Sequence, residues 1–416
     1  MTTLAPTSTL SPRRPRTLAL PRLSKRASFW AVAFAFLALT AFATAPSALY
    51  GLYARQDHLS GIALTVVYAV YAVGVVASLL LAGHLSDSHG RRTVLIPALL
   101  VAAAASVVFL TWTSLPGLLV ARLLTGVALG AGVATATAYI ADLDAGSDGV
   151  PSRRSGIVAT IANIGGLAIG PLMAGILAQY VPGGLTLTFV VLLVALLAAV
   201  AIVTGSPESR EPVRPRPAYR PQRLRAPAHA RGQFVAAATG AFLTFAVGGL
   251  LAGLAGTILA GPLHHPSALL AGLVIFLNFG AGVLVQTTTT HWPAHRLVAA
   301  GLAPLLIGLV ILVASAWTSP ASLALFLIGG AVAGLGGGAI IRGSLTVVIS
   351  TASAEDRASA LAAYFTAGYI GVSLPVLGAG IALQYLSPRV TLLIFALAVG
   401  IGILAAAPLL VRRPEA

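Results

Sequence analysis

The sequence contains no cysteine and very few charged residues. Without cysteine, the chain has no disulfide, iron–sulfur or thiolate chemistry. Charged residues make up 8% of its 416 residues, whereas 58% are hydrophobic and the mean hydropathy is +0.95. So few charges cannot cover the surface of a water-soluble globule of this size. The composition therefore predicts an integral membrane protein.

Acidic residues are especially scarce, since 10 Asp and Glu against 25 Lys and Arg give a net charge of +15. A basic chain could bind nucleic acid, but nearly all of its basic residues lie in loops beside apolar segments. That placement is typical of the charges that orient a membrane protein. We therefore expect no nucleic-acid partner, and we expect the basic segments to lie on anionic lipid headgroups.

The sequence also lacks the patterns of a membrane-embedded enzyme. H-E-x-x-H, G-x-S-x-G and paired acids within an apolar run are absent. Such an enzyme needs clustered His, Asp or Glu inside or just above its membrane spans. We predict no catalytic residue, no metal site and no bound cofactor. A receptor or scaffold that does not transport is the alternative from another class, although such proteins usually carry a folded soluble domain.

Twelve apolar runs are long enough to cross a bilayer at about 1.5 Å per residue. They cover residues 27–49, 60–82, 93–112, 115–141, 154–180, 185–204, 233–262, 267–290, 297–317, 320–341, 358–386 and 389–411. The first run resembles a secretory signal because Ala41-Phe42-Ala43 is similar to a cleavage site. A retained first helix is favoured, since an even number of spans suits the charges that follow.

The segments between the apolar runs define the predicted domains. Residues 1–26 form a disordered basic tail, residues 206–232 form a basic, proline-rich linker, and residues 412–416 form a short tail. None of these segments can bury an apolar face. They separate a first six-helix bundle, 27–205, from a second, 233–411. The predicted fold is an all-α membrane protein with twelve transmembrane helices.

The placement of arginine predicts the orientation. With the amino terminus in the cytoplasm, only Arg55 and Arg389 fall outside, and Arg122 lies within a span. Positive residues concentrate in cytoplasmic loops. We therefore predict that both termini are cytoplasmic. The expected location is the inner membrane of a bacterium.

The two halves repeat each other weakly but in register. Residues 175–180 read Gly-Ile-Leu-Ala-Gln-Tyr, and residues 380–385, 205 positions later, read Gly-Ile-Ala-Leu-Gln-Tyr. A second echo pairs Gly126-x-x-x-Gly130-Ala131 with Gly334-x-x-x-Gly338-Ala339. Internal repeats of this kind predict two pseudo-symmetric bundles that rock about a central site.

The loop after the second run carries most of the charge in its neighbourhood. Its pattern, Gly83-x-Leu-x-Asp87-x-x-Gly90-Arg91-Arg92, resembles the signature loop between the second and third helices of major facilitator superfamily (MFS) transporters. Asp142, at the end of the fourth run, resembles the acid that pairs with the loop arginines in that family. The resemblance implies a cytoplasmic gate made of Gly83, Asp87, Gly90, Arg91, Arg92 and Asp142, which closes the inner face and breaks as the protein opens inward. Its counterpart around residues 286–296 has no acid, so any lock there is expected to be weaker.

Arg122-x-x-x-Gly126-x-x-x-Gly130 in the fourth run is similar to a second motif of the same family. An intramembrane arginine is costly unless it faces a cavity, a partner or the interface, so a functional role is the first interpretation. The alternative is that Arg122, about seven residues into its helix, extends its side chain to the outer interface.

The fifth run contains Gly166-x-x-x-Gly170-Pro171-x-x-x-Gly175, which is similar to a motif of antiporters in this family, with Ala174 in place of a glycine. Proline kinks a helix and glycine permits close crossings, so the motif predicts a hinge. Any kinked and tightly packed helix could use the same residues. The resemblance favours an exporter over an importer.

No acid lies at mid-span in the predicted map, so proton coupling is implied by the resemblance alone. The candidate cavity-lining residues are Tyr68, Tyr71, Asn163, Asn278, Tyr364 and Tyr369. The two asparagines could equally form bonds between helices. A wall without fixed charge would suit a neutral compound or a lipophilic cation.

The sequence thus predicts a secondary active transporter that works as a monomer. Its most favoured function is export of a small lipophilic or weakly polar compound, such as a drug, antibiotic or metabolite, by proton-coupled antiport. Proton-coupled uptake of a small metabolite is the alternative.

Overall fold

The computed structural model describes residues 23–56, 59–83, 85–145, 152–210, 219, 221–353 and 355–411. Over these residues the chain forms helices joined by turns, and the described part contains no β-strand. Most of the predicted amino-terminal tail, residues 211–218 and 220 of the linker, and the predicted tail 412–416 lie outside the described residues.

Among the described residues, twelve helices are long and apolar enough to cross a membrane, which confirms the predicted fold class. The first six are α1 (Lys25–Gln56), α2 (Gly61–Ala82), α3 (Arg91–Thr111), α4 (Leu115–Asp144), α5 (Arg153–Tyr180) and α6 (Gly184–Thr204). The second six are α7 (Arg231–Ala260), α8 (Ala268–Thr288), α9 (Ala294–Trp317), α10 (Leu323–Thr351), α11 (Arg357–Ala382) and α12 (Pro388–Leu410). A short helix, Leu85–His89, lies between α2 and α3.

Two helices end about seven or more residues further along the chain than the apolar pattern predicts. α1 ends at Gln56 instead of residue 49, and α10 ends at Thr351 instead of residue 341. Arg342 does not end α10, because its guanidinium donates to the backbone carbonyl of Gln286 on α8. A charged side chain with a backbone partner can therefore lie within the helix, which an apolar pattern alone does not reveal.

Within each half, glycines bring two helices into backbone contact. A Cβ built on Gly126 of α4 would lie 2.1 Å from the carbonyl oxygen of Tyr71 on α2. A Cβ built on Gly334 of α10 would lie 2.0 Å from the carbonyl oxygen of Asn278 on α8. Gly126 and Gly334 are 208 positions apart. Crossings this close admit only glycine, so α2–α4 and α8–α10 are equivalent crossings of the two halves.

Helices α1, α2 and α5 of the first half contact α7, α8 and α11 of the second. We call the side with the 83–90 loop and the linker the linker face, and the other side the opposite face. Near the opposite face, Gly175 approaches the carbonyl of Ala268, and Gly380 approaches the side chain of Thr65. These are the two glycines that open the repeated Gly-Ile-x-x-Gln-Tyr segments. The repeat therefore marks the contacts between the halves.

Candidate functional site

The side chain of Arg122 lies inside the first half, where it is only 1% exposed. Its Nη1 donates to the backbone carbonyl of Ala43 at 2.7 Å. Helix α1 is interrupted just after Ala43, between Thr44 and Pro46, because proline has no N–H to donate within the helix. Arg122 therefore bonds to an interrupted helix and does not extend to the interface.

Tyrosine rings of α2 surround this guanidinium. The central carbon of the Arg122 guanidinium lies 4.5 Å from the ring centroid of Tyr71 and 5.7 Å from that of Tyr68. At these distances the ring faces attract the cation. The ring of Tyr50, from α1, meets that of Tyr68 edge-on at 6.4 Å. The first half thus supplies one cation and three buried tyrosines.

The second half completes the site with two rings. Tyr369 of α11 lies 6.2 Å from Tyr71 between ring centroids, and Phe245 of α7 lies 5.7 Å from Tyr369. We call Arg122, Tyr50, Tyr68, Tyr71, Phe245 and Tyr369 the central cluster. Because both halves contribute to it, any movement of one half against the other changes its geometry.

Three of the candidate cavity residues lie elsewhere. Tyr364 is fully buried and its hydroxyl lies 2.7 Å from that of Ser344, among apolar residues of the second half. Asn278 donates from its side-chain amide to the carbonyl of Gly330 at 2.9 Å, which joins α8 to α10. Asn163 is half-buried in a π-helical turn of α5. The interpretation of Asn278 as a bond between helices therefore fits its contacts.

No acid neutralises Arg122 among the residues that the structure describes. The described acids, which are Asp87, Asp142, Asp144, Glu208, Glu355 and Asp356, all belong to the linker face. Asp142 shares helix α4 with Arg122 but lies twenty residues further on, which is about 30 Å along a helix. The Nε of Arg122 is buried and has no hydrogen-bond partner among the described residues. The cluster is therefore a cationic site with an unused donor.

At the linker face, Arg91 forms a second polar cluster. Its guanidinium lies 2.8 Å from a carboxylate oxygen of Asp87 and 3.0 Å from one of Asp142. The Arg91 side chain is 7% exposed, whereas Asp87 is 54% and Asp142 31% exposed. Arg91 also donates to the hydroxyl of Ser86. Three of the six predicted gate residues thus meet at one guanidinium.

The remaining gate residues have separate contacts. The Arg92 side chain forms no ion pair with a described acid and donates to the carbonyls of Thr204 and Ser206, where α6 ends. Gly83 has an ordinary helical backbone, so it does not use the freedom of glycine. Gly90 does use it, with φ at +101°, a region that residues with a Cβ rarely adopt.

Glu208, in the predicted linker, is a participant that the sequence analysis missed. Its carboxylate accepts hydrogen bonds from the backbone N–H groups of Arg91, Arg92 and Thr93 at 2.6–3.3 Å. These N–H groups begin α3 and have no partner within the helix. The signal was available, because Glu208 is the first acid after α6 in a segment dominated by arginine.

The gate residues and Glu208 belong to the first half and the linker, and so do their hydrogen-bond and ion-pair partners among the described residues. Arg210 of the linker also lies 3.8 Å from Asp87. We call Asp87, Arg91, Asp142, Glu208 and Arg210 the linker cluster. It ties the linker to the first half, and the contacts of its described residues do not directly bridge the halves.

The glycines of the antiporter-like motif divide between two neighbours. Gly166 and Gly170 approach α1, at Thr40 and the carbonyl of Ala41. The Pro171 carbonyl and Gly175 approach α8 of the second half, at Gly272 and Ala268.

Because Pro171 has no N–H, the carbonyl of Leu167 lacks its usual donor in the helix. The hydroxyl of Thr44 donates to that carbonyl at 3.1 Å. One turn earlier on α1, Thr40 donates to the carbonyl of Ala162, in the π-helical turn of α5. Two threonines of α1 thus bind the irregular part of α5, which lies between α1 and the second half.

Two arginines bond at the carboxyl-terminal end of α8 at the linker face, one to the last turn and one just beyond it. Arg153, which begins α5, donates to the hydroxyl of Thr290, and Arg342 of α10 donates to the carbonyl of Gln286. Both guanidiniums therefore bond within residues 286–290 of the second half. Their partners are a hydroxyl and a carbonyl. The described acid beside them, Asp144, accepts from the hydroxyl of Ser152, and among the described residues no ion pair joins it to either arginine.

Sequence comparison relates the chain to known transporters. The sequence model of the Major Facilitator Superfamily matches residues 29–325. The bacillibactin exporter of Bacillus subtilis (strain 168) is 30% identical over 122 residues, which cover 28% of this chain. The match spans 30% of the exporter, so the chain matches less than a third of that relative's length.

Solved structures share the fold over almost the whole chain. A mutant of the nucleoside transporter NupG superimposes with a TM-score of 0.69 at 12% identity, over 92% of this chain and 99% of that one. A bacterial homolog to the human lysosomal transporter Spinster, inward-facing and unoccupied, gives 0.63 at 16% identity, over 93% and 95%. Its occupied form gives 0.61 at 15% identity, over 92% and 94%. At these identities the likeness concerns the fold.

Proposed function

The chain belongs to the major facilitator superfamily, and from that membership we propose that it exports a small lipophilic or weakly polar compound by alternating access. The superfamily and the fold point to a transporter rather than an enzyme. In the proposed cycle, residues 27–205 rock against residues 233–411. The cycle places the substrate in the central cluster.

The observation that carries this proposal is that both halves build the central cluster. Tyr71 and Tyr369 face each other across the junction, beside a buried arginine. Polar residues at this depth are expensive to bury and usually mark a transport pathway. Separation of the two rings would open the cluster towards one face while contacts at the other face hold.

Export, proton antiport and the bacterial inner membrane are parts of the same proposal. Export is supported by the Gly166–Gly175 pattern and by the short match to the bacillibactin exporter. We assign the energy to the proton gradient because the Gly166–Gly175 pattern resembles a motif of antiporters, and the proposal includes no metal and no cofactor. A single chain is the working unit, and both termini face the cytoplasm.

A resistance screen tests function and direction together. Cells that express the protein are challenged with compounds of several classes, with and without an uncoupler of the proton gradient. We expect resistance to a subset of compounds and its loss with the uncoupler. Increased sensitivity would indicate uptake, and resistance that survives the uncoupler would contradict proton coupling.

Alternating access is tested by a disulfide across the opposite face. A Cβ built on Gly61 of α2 lies 3.9 Å from the Cβ of Leu383, beyond α11, which suits a disulfide with its Cβ separation of about 3.5–4.5 Å. The chain has no cysteine that could interfere. We expect oxidised Gly61→Cys/Leu383→Cys to lose transport and to recover it on reduction.

The matched control is a disulfide at the same face within one half. A Cβ built on Gly261 lies 3.8 Å from that of Pro388 in the second half. We expect oxidised Gly261→Cys/Pro388→Cys to keep transport, because it joins parts that move together. Full transport by oxidised Gly61→Cys/Leu383→Cys, with disulfide formation verified by mass spectrometry, would contradict the proposed rocking motion.

A further inference from the structure

The central cluster carries a buried positive charge with no described acid beside it. Arg122 is buried, its Nε is unused, and the described acids all lie at the linker face. A buried charge without an opposite partner is costly in a medium of low dielectric constant. The cluster would therefore gain most from a ligand that brings a negative charge.

We infer that the transported compound is a small aromatic monoanion, such as an aromatic carboxylate or a phenolate, bound to Arg122 between the cluster rings. This inference rests on the proposed transport function and specifies its substrate class. It replaces the expectation of a neutral compound or a lipophilic cation. That expectation treated the cavity wall as uncharged, whereas Arg122 turns towards the tyrosines of α2.

The rings define the body of the ligand. Tyr68 and Tyr71 flank the guanidinium, and Tyr369 and Phe245 approach from the second half. Aromatic rings pair favourably edge-to-face or offset-stacked. An aromatic body can thus contact both halves while its anionic group reaches Arg122. One guanidinium compensates one charge, so a dianion would bury an unpaired charge here.

A second observation supports the sign of the charge. Arg153 and Arg342 lie at the linker-face junction between the halves, bonded to Thr290 and Gln286. Among the described residues neither arginine forms an ion pair, and the nearby acid Asp144 accepts from Ser152. Two adjacent guanidiniums attract anions and repel cations. An anion that reaches the central cluster from the linker face would therefore pass two cations before it meets the third.

Binding of three matched probes tests the inference on the purified full chain in nanodiscs. The probes are 2-naphthoate, 2-naphthamide and 2-naphthylmethylammonium, which share one aromatic body and differ in charge. Equilibrium dialysis gives their dissociation constants. We expect the anion to bind at least tenfold more tightly than the amide, and the cation most weakly. Weaker binding of the anion than of either other probe, or no measurable binding of the anion, overturns the inference.

Variants locate the charge that is responsible. Arg122→Gln should cost the anion at least tenfold in affinity and change the affinity for the amide by less than twofold, whereas Arg122→Lys should keep part of the preference. Arg122 also bonds to Ala43, so thermal unfolding verifies that each variant is folded. If Arg122→Gln does not fold, the order of the three probes on the unmodified protein still decides.

The junction arginines need a different readout. In proteoliposomes, Arg153→Gln/Arg342→Gln should slow flux of the anion and leave its equilibrium affinity within twofold. Arg389→Gln, near the opposite face, is the matched loss of one positive charge and should change neither. A lower affinity without a slower flux would contradict the assigned path.

The flux measurement also separates this inference from the proposed function. Preferred binding of 2-naphthoate without flux of any probe would support the anionic site and count against transport. Saturable flux with preference for the amide or the cation would support transport and overturn the anionic substrate.

Discussion

The two halves of the molecule share one helix crossing but place different chemistry beside it. The α2–α4 crossing at Gly126 and the α8–α10 crossing at Gly334 both bring a glycine against a backbone carbonyl. Next to the first crossing lies Arg122, whereas Gly330 occupies the corresponding position, 208 residues later. The carbonyl of Gly330 accepts from Asn278 instead. One half therefore carries a charge where the other carries a neutral amide.

The linker face shows the same asymmetry. In the first half, Arg91 holds two acids, and Glu208 from the linker caps α3. In the second half, Arg342 donates to the carbonyl of Gln286, and no described acid pairs with it. Glycines at equivalent positions share the geometry of the crossing, whereas the arginine that bonds to two described acids belongs to the first half. At the central cluster, likewise, the second half contributes the rings of Tyr369 and Phe245, and the first half contributes the charge of Arg122.

The largest expected effect tests what the halves share. Gly126→Val and Gly334→Val should each destabilise the protein by about 3 kcal/mol or more, because the added carbons would overlap backbone atoms that cannot move aside. Thermal unfolding in detergent measures the loss. Gly280→Ala on α8 is the control, since a Cβ there has no atom within 4 Å. Unequal losses in the two valine variants would show that the crossings are not equivalent.

The second prediction sharpens the difference at the linker face. Arg91→Met leaves Asp87 and Asp142 facing each other and should cost roughly 1–3 kcal/mol, less than a fully buried pair because both acids are partly exposed. Arg342→Met removes a bond to one carbonyl and should cost about 0.5–1.5 kcal/mol. Denaturation midpoints of the two variants give the comparison. A larger loss from Arg342→Met would reverse the assigned asymmetry.

A smaller effect is expected at the neutral counterpart of Arg122. Asn278→Leu should cost roughly 0.5–1.5 kcal/mol, because a hydrogen bond between two membrane helices is worth about that much. Thr287→Val on the same helix is the control, since its hydroxyl bonds only within α8. Equal thermal stability of the two variants would mean that the Asn278 bond does not hold α8 to α10.

Much of this architecture could be predicted from the sequence because apolar length and arginine placement are local signals. The twelve spans follow from them, and the repeated glycines mark real contacts between helices. The partners of single side chains do not follow. Tyr364 and Tyr369 are five residues apart on one helix, yet one lies in an apolar core and the other in the central cluster. Which face of α11 meets α2 decides that, and only packing determines it.

The linker shows a second reason for the limit. Its proline and arginine content indicates a segment without a core of its own, and that composition says nothing of a single acid inside it. Glu208 is fixed by N–H groups 115–117 positions away, at the start of α3. Contacts over such separations form because the start of α3 lies beside the end of α6, and no local pattern encodes that arrangement.

The smallest expected effect concerns Asp87, the exposed acid of the linker cluster. Asp87→Asn keeps the shape of the side chain, removes its charge and leaves Arg91 paired with Asp142. An exposed ion pair is worth roughly 0.2–1 kcal/mol, so transport should fall by about 1.4- to fivefold while the amount of inserted protein stays unchanged. Asp356→Asn, at the linker face of the second half, is the matched control, because its carboxylate meets only the hydroxyl of Ser353. Efflux by each variant is compared at matched expression. If Asp87→Asn transports substrate normally, or if Asp356→Asn is impaired as strongly, then the charges of the first half at the linker face are not more important for transport than those of the second half.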